Sequence, residues 1–368
     1  MGAPAMHERA NIRRMAGYVP GERPAAPAVK LNTNENPLAP GDAVMRALSE
    51  ITPAMLQRYP DPLATRLRSA IADYHECGVD RVIVTNGSDE LLRLAVTTFG
   101  APGHAIGLVE PGYSLYGVLA QIQDCPVARV ALEDDWTIPT DIAARWNKAG
   151  AKLAFLANPQ APTGALLSAR AIARLAAEFR GVLLVDEAYI DFVDPTQAHD
   201  IVSLIDQTAN LLIVRTLSKG HSLAGLRLGY GLGRESLVTP MLTKVRDSYN
   251  VDVIAQHLGC AAFADMGHAR TSWQLVREER DRVARELGDL GIVTLPSQAN
   301  FLLADIPSAF GDAQTLHALL ASQGVHVRWF DVPRLRGRLR ISIGTRAEND
   351  QLLSAIEASL VVRTRCAS

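Results

Sequence analysis

Lys219 is the residue of this chain best suited to covalent chemistry. The 368-residue sequence contains only five lysines, and Lys219 directly follows the apolar run 210–218. Gly220 follows it directly, and Arg227 follows eight positions later. A strand that delivers one amine to a glycine turn, with a hydroxyl and a guanidinium nearby, suits a lysine that forms an imine with a phosphorylated aldehyde. The sequence therefore predicts a catalytic lysine, with an ordinary surface lysine as the alternative.

A second group of residues could bind the phosphate of such an aldehyde. Four residues follow the predicted strand 82–85 where a helical pattern begins: Gly87, Ser88, Asp89 and Glu90. Glycine permits close approach, serine is a good N-cap, and the free N–H groups of a helix N terminus bind anions. Ser218 and Arg227 add a hydroxyl and a guanidinium, which suits bidentate phosphate binding. An ordinary capped helix is the alternative.

Asp186 ends the predicted strand 182–186, and Tyr189 follows three residues later. Open α/β sheets hold ligands at the carboxyl ends of their parallel strands. A carboxylate there could keep the nitrogen of a pyridine ring protonated and make the ring an electron sink. A metal ligand or a helix-capping aspartate is the alternative interpretation.

Two further residues have side chains suited to a ring oxygen and to a substrate carboxylate. Asn158 opens the proline- and glycine-containing loop 158–164, directly after the predicted strand 153–157, and its amide can donate a hydrogen bond. Arg340 lies in the predicted strand 339–343, where alternation places it on one face and lets it receive a carboxylate. A turn residue and an edge-strand surface charge are the alternatives.

The elements that must position these residues are predicted from hydrophobic periodicity. Helical patterns follow Ser88 and Tyr113 and cover 168–179 and 254–263. They alternate with short apolar runs at 82–85, 105–110, 127–132, 153–157, 182–186, 211–217 and 226–231. This alternation predicts an α/β fold, with a large domain built on a mostly parallel seven-stranded sheet flanked by helices.

The chain outside this region shows a different pattern. A long charged helix at 268–290 precedes predicted strands at 301–306, 326–330 and 339–343, with helices at 313–323 and 346–361 between and after them. This pattern predicts a smaller α+β domain. We assign residues 1–45 to an N-terminal arm that forms part of the small domain, 46–265 to the large domain and 266–368 to the C-terminal small domain.

Composition excludes several classes of function. The formal net charge is −2, and no block of lysine or arginine indicates nucleic acid or an anionic membrane as a partner. No apolar run reaches membrane-spanning length, and residues 1–8 contain no signal-peptide core. The four cysteines are scattered, which favours reduced thiols and no metal site: Cys77, Cys125, Cys260 and Cys366. We therefore predict a soluble cytoplasmic protein.

The order of these motifs resembles that of fold-type I pyridoxal-phosphate-dependent aminotransferases of class II. More narrowly, the chain is similar to the histidinol-phosphate aminotransferase family from about residue 12 to residue 356. The narrowing motifs are Leu-Asn-Thr-Asn-Glu-Asn-Pro at 31–37, Arg-Tyr-Pro-Asp at 58–61, Pro-Gly-Tyr-Ser-Leu-Tyr at 111–116, Ser-Tyr-Asn at 248–250 and Val-Arg-Trp-Phe-Asp at 327–331. Each motif is weak alone, and their joint order carries the resemblance.

The resemblance implies pyridoxal 5′-phosphate as cofactor and assigns its ligands. Lys219 would bind it covalently and shuttle the substrate proton, while Asp186 would hold the pyridine nitrogen. Asn158 and Tyr189 would contact the ring 3-oxygen, and Tyr113 would stack on the ring. The phosphate would be held by Gly87, Ser88, Asp89, Ser218 and Arg227.

The resemblance also implies substrates and a partner. The reaction would exchange an amino group between L-histidinol phosphate and 2-oxoglutarate, forming imidazole-acetol phosphate and glutamate in histidine biosynthesis. Arg340 would bind the α-carboxylate of glutamate, and Arg328 would bind either the substrate phosphate or the side-chain carboxylate of glutamate. Tyr18 and Asn34 would line the substrate mouth. Tyr59 would reach the cofactor phosphate of a second subunit, which implies a homodimer with shared sites.

Some positions depart from the family pattern, and other functions stay open. Gln160 and Ala161 replace two asparagines, Leu38 and Ala39 replace an aromatic–glycine pair, and His221 stands in an unusual segment after the lysine. Alternative enzymes are an aromatic-amino-acid aminotransferase and a phosphothreonine decarboxylase. A non-enzymatic alternative is the aminotransferase-like effector domain of a transcription regulator, although the proline-rich first fifty residues offer no DNA-binding segment.

Overall fold

The structure is a computed structural model that describes residues 7–22, 24–25 and 28–367, with side chains described up to residue 360. The first six residues of the predicted N-terminal arm and the side chain of Cys366 lie outside the described residues. The strands, in chain order, are β1 (Val29–Lys30), β2 (Val82–Asn86), β3 (Ile106–Glu110), β4 (Val127–Ala131), β5 (Leu153–Ala157), β6 (Val182–Asp186), β7 (Leu211–Thr216), β8 (Leu228–Gly233), β9 (Val293–Thr294), β10 (Phe301–Asp305), β11 (Val325–His326), β12 (Arg328–Trp329) and β13 (Arg338–Ser342).

The helices surround these strands. In chain order they are α1 (Ala10–Arg14), α2 (Asp42–Ser49), α3 (Pro53–Leu56), α4 (Thr65–Tyr74), α5 (Gly87–Phe99), α6 (Ser114–Ile122), α7 (Ile142–Lys148), α8 (Ala169–Glu178), α9 (Glu235–Pro240), α10 (Val253–Ala264), α11 (Met266–Asp289), α12 (Ala313–Ser322) and α13 (Arg346–Ala367). Among these described helices, none is long and apolar enough to span a membrane.

Seven strands form the large sheet, in the order β2-β8-β7-β6-β5-β3-β4. Strands β4, β3, β5, β6 and β7 pair in parallel, whereas β8 pairs antiparallel with both β2 and β7. The predicted α/β class and the mostly parallel seven-stranded sheet are therefore confirmed.

Both faces of this sheet are covered by helices, which explains why its strands are mostly apolar. Successive strand residues point to opposite faces, so Leu183 and Val185 join one buried cluster and Leu184 joins the other. The first cluster is completed by side chains of α4, α7, α8 and α10, and the second by side chains of α5, α6 and α9.

Local signals start several of these helices where the sequence indicates. The side chain of Ser168 accepts a hydrogen bond from the N–H of Ala171 and caps α8. Asp252 caps α10 through Ala255 in the same manner. Such caps satisfy N–H groups that a helix cannot satisfy itself, so they define where each helix begins.

The strand predicted at 226–231 begins later than expected, at Leu228. Arg227 has a φ of 56°, in the left-handed region, and a residue with that backbone cannot continue a β ladder. The strand predicted at 326–330 is likewise two short strands. Strand β11 pairs in parallel with β1, and β12 pairs antiparallel with β13, so the two halves serve different sheets.

The C-terminal part contains a four-stranded sheet in the order β12-β13-β10-β9. Strand β1, from the N-terminal segment, adds to this part through its pairing with β11. Helix α2 crosses the predicted boundary at residue 45, whereas the boundary at 265 falls between α10 and α11. The division into domains stays a prediction.

Candidate functional site

The carboxyl ends of three neighbouring parallel strands bring the predicted catalytic residues to one edge of the large sheet. Ala157 at the end of β5 pairs with Asp186, and Asp186 pairs with Val214 of β7. Asn158 follows β5 directly, and Lys219 lies three residues beyond the end of β7. A ligand bound at this edge can therefore contact all three side chains, as expected for an open α/β sheet.

Lys219 is held by the N-terminal segment of the chain. Its Nζ donates a hydrogen bond to the carbonyl oxygen of Thr33, at 2.8 Å. Burial lowers the pKa of Lys219 to about 8, because a buried ammonium loses its hydration. About a tenth of this amine is therefore neutral at pH 7, far more than for an exposed lysine, and a neutral amine can act as a nucleophile or a base.

Asp186 is buried and held by two hydrogen bonds. The hydroxyl of Tyr116 donates to Oδ2 at 2.8 Å, and the N–H of Ala188 donates to Oδ1 at 3.1 Å. Burial raises the pKa of Asp186 to about 6, and these two hydrogen bonds oppose that rise by stabilising the carboxylate. A cationic ring N–H near this carboxylate would favour its ionised form further.

Tyr116 is a site residue that the sequence reasoning missed. It is 4% exposed and lies in α6, with its ring stacked on Phe155 at a centroid distance of 4.7 Å. A tyrosine in an apolar helical pattern has the features of a core residue, and its hydroxyl is the feature that indicates a polar partner. A buried hydroxyl needs a partner, and Asp186 supplies it.

Replacing Tyr116 with phenylalanine should weaken the site without disturbing its packing. Loss of one hydrogen bond to a carboxylate costs roughly 1.5–3 kcal/mol, so we expect turnover to fall at least tenfold. The pKa of Asp186 should rise by about one unit, which moves the acidic limb of the pH–rate profile upward. Steady-state kinetics from pH 5 to pH 9 measures both effects. An acidic limb identical to that of the wild type would contradict this role for Tyr116.

The predicted anion site lies at the N terminus of α5, beside Arg227. Strand β8 runs antiparallel to β2, so Asn86 pairs with Leu228 and Arg227 comes next to Gly87. Gly87 has a φ of 74°, and a Cβ there would come within 2.6 Å of the Arg227 guanidinium. Glycine therefore makes room for the arginine. The guanidinium Nη1 lies 3.3 Å from the Ser218 hydroxyl, so the structure brings these predicted phosphate ligands together.

Asp89 and Tyr113 lie at the same helix end. The Asp89 carboxylate is 3.6 Å from the Arg227 guanidinium and accepts a 3.4 Å hydrogen bond from the Tyr113 hydroxyl. A carboxylate repels phosphate, so Asp89 can assist an anion only through its backbone N–H. Tyr18 packs edge-on against Tyr113, with ring centroids 5.9 Å apart.

Asn158 already uses both ends of its amide. Its Nδ2 donates to the carbonyl oxygen of Leu167 at 3.1 Å, and its Oδ1 accepts from the Leu167 N–H at 2.7 Å. Nδ2 also lies 3.4 Å from His199 Nε2. That nitrogen faces the Glu187 carboxylate at 3.1 Å and must carry a proton to bind it, so it does not accept a hydrogen bond from Asn158. One amide proton of Asn158 is therefore left for a ring oxygen, as predicted.

Tyr189 and Asn34 form a direct contact across the two parts of the chain. Asn34 Nδ2 donates to the Tyr189 hydroxyl at 3.0 Å. Asn34 has a φ of 57° and is fixed by Ser342, whose hydroxyl bonds both its backbone N–H and its Oδ1. This network leaves the Tyr189 hydroxyl its own proton to donate.

Arg328 and Arg340 lie directly opposite each other on the paired strands β12 and β13. Both guanidinium groups lie over the ring of Phe330, at 5.3 and 5.5 Å from its centroid. Arg340 donates to the carbonyl oxygen of Asn32 at 2.9 Å, while its buried Nε has no partner among the described residues. Like charges placed opposite each other repel, so this pair is suited to binding an anionic ligand.

Tyr59 is not part of this group in the single chain. It is 80% exposed, and its ring stacks on Tyr249 at 4.4 Å. The structure therefore brings together the other predicted residues from three regions: the edge of the large sheet, the N terminus of α5 and the β12–β13 pair.

Comparison with known proteins gives a consistent result. Residues 26–356 match the family described as aminotransferase class I and II. A histidinol-phosphate aminotransferase of Geobacter sp. strain M21 is 39% identical over 350 residues, covering 95% of this chain and 97% of that protein. Histidinol-phosphate aminotransferase 1 of Nostoc sp. is 36% identical over 358 residues, covering 96% and 98%.

Solved structures show the same fold. The crystal structure of histidinol-phosphate aminotransferase from Sinorhizobium meliloti in complex with pyridoxal-5′-phosphate superposes with a TM-score of 0.89. The alignment covers 98% of this chain and 99% of that one, at 24% identity. A putative aminotransferase from Burkholderia pseudomallei gives a TM-score of 0.78 at 29% identity, covering 91% of this chain and 100% of that one. The fold expected from the motif order is therefore confirmed.

Proposed function

This chain belongs to the aminotransferase class I and II family, and from that premise we propose that it uses pyridoxal phosphate to exchange an amino group between L-histidinol phosphate and 2-oxoglutarate. Relatives that carry this activity in their names are 36–39% identical over nearly their whole length. The observation within the structure that supports it best is the arginine pair of β12 and β13, because both substrates carry an anion far from the reacting carbon.

The residues present fit the proposed cofactor. An aldehyde requires an amine, and Lys219 provides one with a pKa lowered by burial. A phosphate requires N–H groups and a guanidinium, and Gly87 leaves space for Arg227 at the N terminus of α5. A pyridine nitrogen requires a carboxylate, and Asp186 is a buried carboxylate at the end of β6.

Pyridoxal phosphate, when bound, supplies an electron sink that stabilises negative charge at the substrate Cα. Asp186 would keep a proton on the ring nitrogen, since its carboxylate is held ready by Tyr116 and the Ala188 N–H. Lys219 would bind the cofactor in the resting enzyme and afterwards move the proton at Cα, as its lowered pKa permits. Tyr189 and Asn158 would donate to the ring oxygen.

The two arginines would orient the substrates. Arg340, fixed by the Asn32 carbonyl, would bind the α-carboxylate of glutamate. Arg328 would bind the phosphate of histidinol phosphate in one half-reaction and the side-chain carboxylate of glutamate in the other. Orientation by a bidentate guanidinium reduces the entropy cost of aligning Cα with Lys219, which is a major source of rate enhancement.

Arg328→Gln, assayed with a panel of substrates, tests this proposal. We expect KM for histidinol phosphate and for glutamate to rise about tenfold or more, because each loses a charge-assisted hydrogen bond. Phenylalanine has no distal anion, so its KM should change little. Arg336→Gln is the matched control, since Arg336 is exposed and pairs with Asp331.

The wild-type enzyme in the same panel separates the alternatives. Preferred use of aromatic keto acids would favour an aromatic-amino-acid aminotransferase, and release of CO₂ from phosphothreonine would favour a decarboxylase. Either result, or equal losses for phenylalanine and histidinol phosphate in Arg328→Gln, would contradict the proposed substrate.

We also propose that the active enzyme is a homodimer in which Tyr59 completes the phosphate site of the partner subunit. Tyr59 makes no hydrogen bond among the described residues of its own chain and is 80% exposed. Large apolar side chains before and after it are also exposed: Met45, Leu48, Leu56 and Leu63. Exposed apolar groups in this number are typical of a surface that another protein covers.

Mixing two inactive variants tests the shared site. Lys219→Ala and Tyr59→Ala should each have low activity, whereas a heterodimer contains one site with both residues intact. We expect subunit exchange to restore up to about a quarter of wild-type activity, because half of the subunit pairs are mixed and each mixed pair has one complete site. Activity after confirmed exchange that equals the sum of the two variants would show that Tyr59 serves its own subunit.

A further inference from the structure

A cavity lies next to the loop that carries Lys219, because Asp191 in its wall packs against Gly220. Its volume is ≈ 980 Å³, within the range of small-molecule sites. Its wall is formed by the start of α11, by residues 74–81 and by the segment 190–206. Lys219, Asp186 and the β12–β13 arginines are not among its lining residues, so this cavity is separate from the proposed active site.

One part of the wall presents positive charge. Arg270 and Arg277 both line the cavity from α11. They are seven residues apart and therefore lie on the same face of the helix, about 10 Å from each other along its axis. Neither forms an ion pair among the described residues. The other two arginines of the wall are already neutralised, because Arg81 pairs with Asp206 at 2.7 Å and Arg215 pairs with Glu187 at 2.8 Å.

The segment 190–206 presents hydrogen-bond acceptors with unused capacity. Asp191 lines the cavity, and its carboxylate makes no hydrogen bond within the described part of the chain. His199 lies in the same wall, with its side chain 2% exposed and its buried Nδ1 without a partner in the described residues. His199 Nε2 faces Glu187 at 3.1 Å, and in the neutral ring a proton on Nε2 would leave Nδ1 as an acceptor. Asp200 adds a further carboxylate.

Asp191, in the wall of this cavity, is in contact with Gly220, the residue that follows Lys219. An ideal Cβ on Gly220 would lie 2.0 Å from the Asp191 carboxylate, so Asp191 packs directly against the residue that follows Lys219. Strand alternation also places Asp186 and Glu187 on opposite sides of the β6 end. A ligand beside Asp191 would therefore lie next to the backbone of the lysine loop without entering the substrate site.

We propose that this cavity binds a small zwitterion of the amino-acid class, with its ammonium group at Asp191 and its carboxylate at Arg270 and Arg277. The separation of charge in the wall carries this assignment. A simple anion would meet the carboxylates of the 190–206 segment. A simple cation would meet the guanidinium groups of Arg270, which lies beside the Tyr74 hydroxyl, and Arg277, neither of which forms an ion pair among the described residues. A molecule with one charge of each sign can bind both the carboxylates and the guanidinium groups of the wall. Charge-assisted hydrogen bonds of this kind are stronger than those between neutral groups. The inference does not depend on which substrate the enzyme uses.

Three probes of equal chain length test the proposal by isothermal titration calorimetry on the full chain with its cofactor bound. They are 6-aminohexanoate, hexanoate and hexylamine. We expect 6-aminohexanoate to bind with one site per chain and at least tenfold more tightly than either singly charged probe. Arg277→Gln should weaken 6-aminohexanoate about tenfold and leave hexylamine unchanged. Arg285→Gln, an exposed arginine of the same helix outside the cavity, should change neither.

Arg340→Gln separates this cavity from the proposed substrate site, which also binds carboxylates. The zwitterion should bind this variant as tightly as it binds the wild type. Lost binding in Arg340→Gln with retained binding in Arg277→Gln would place the probe in the substrate site and overturn the proposal. Equal affinities for the three probes, or no saturable binding, would overturn it as well.

Discussion

Replacing Lys219 with alanine is expected to remove nearly all turnover and the visible absorption that marks a covalently bound aldehyde cofactor. Lys219 is the amine at the carboxyl edge of the large sheet, held by the Thr33 carbonyl, and it would serve both as the covalent attachment and as the proton carrier. General acid–base catalysis alone contributes about 10²–10⁴-fold, so turnover should fall by at least that factor. Single-turnover kinetics and the visible spectrum of the purified protein measure both effects.

Lys244→Ala is the matched control, because Lys244 is exposed and lies outside the site. It should be coloured and fully active. The Lys219→Ala protein should remain folded by circular dichroism, since the substitution removes an ammonium whose hydration was lost on burial. A Lys219→Ala protein with wild-type colour and measurable steady turnover would show that another amine holds the cofactor.

Asp186→Asn has the second largest expected effect. The substitution keeps the size of the side chain but removes the negative charge that would hold a proton on the ring nitrogen. Loss of one preorganised electrostatic contact in a transition state costs about 10²–10³-fold in kcat. We expect that loss in the rate of Cα proton abstraction, measured by exchange of the substrate α-hydrogen with D₂O, while cofactor binding weakens less.

Two measurements test whether the loss of activity in Asp186→Asn comes from the missing charge or from misfolding. Glu110→Gln removes an exposed carboxylate at the end of strand β3 of the same sheet, where it pairs with Arg129, and should leave catalysis unchanged. The stability of the cofactor-free proteins should also differ with pH. Because burial raises the pKa of Asp186, wild-type protein should lose more stability than Asp186→Asn as the pH rises to about 6. Asp191, whose pKa burial raises to about 7, contributes the same loss to both proteins. Near-normal exchange in Asp186→Asn would assign the ring nitrogen to another residue.

Much of the architecture was predictable because it depends on local patterns. All seven apolar runs between 82 and 231 became strands of the large sheet, and the polar residues that end or follow them came to one edge. Lys219, Asp186 and Asn158 could be proposed together for this reason, since parallel strands share an edge. The short helices α4 and α7 were not predicted, because their buried faces become clear only against the sheet.

The remaining features depend on contacts between distant parts of the chain. Tyr116 cannot be distinguished from a core residue in the sequence, because its hydrogen-bond partner, Asp186, lies 70 residues further along the chain. The two meet only when α6 packs over the end of β6. The opposition of Arg328 and Arg340 depends on the register of β12 on β13, which no single strand pattern encodes. The role of Tyr59 and the cytoplasmic location stay predictions from the sequence.

The hydrogen bonds from Lys219 and Arg340 to the N-terminal segment have a consequence for the order in which the protein folds during synthesis. The carbonyls of Thr33 and Asn32 hold side chains that lie 186 and 308 residues further along the chain. Contacts between such distant segments form slowly, because the entropy of closing the intervening chain is lost first. During synthesis on the ribosome, Arg340 emerges long after Asn32. The nascent chain can therefore complete its large sheet early, but it cannot place Arg340 in the proposed substrate site until translation is almost finished.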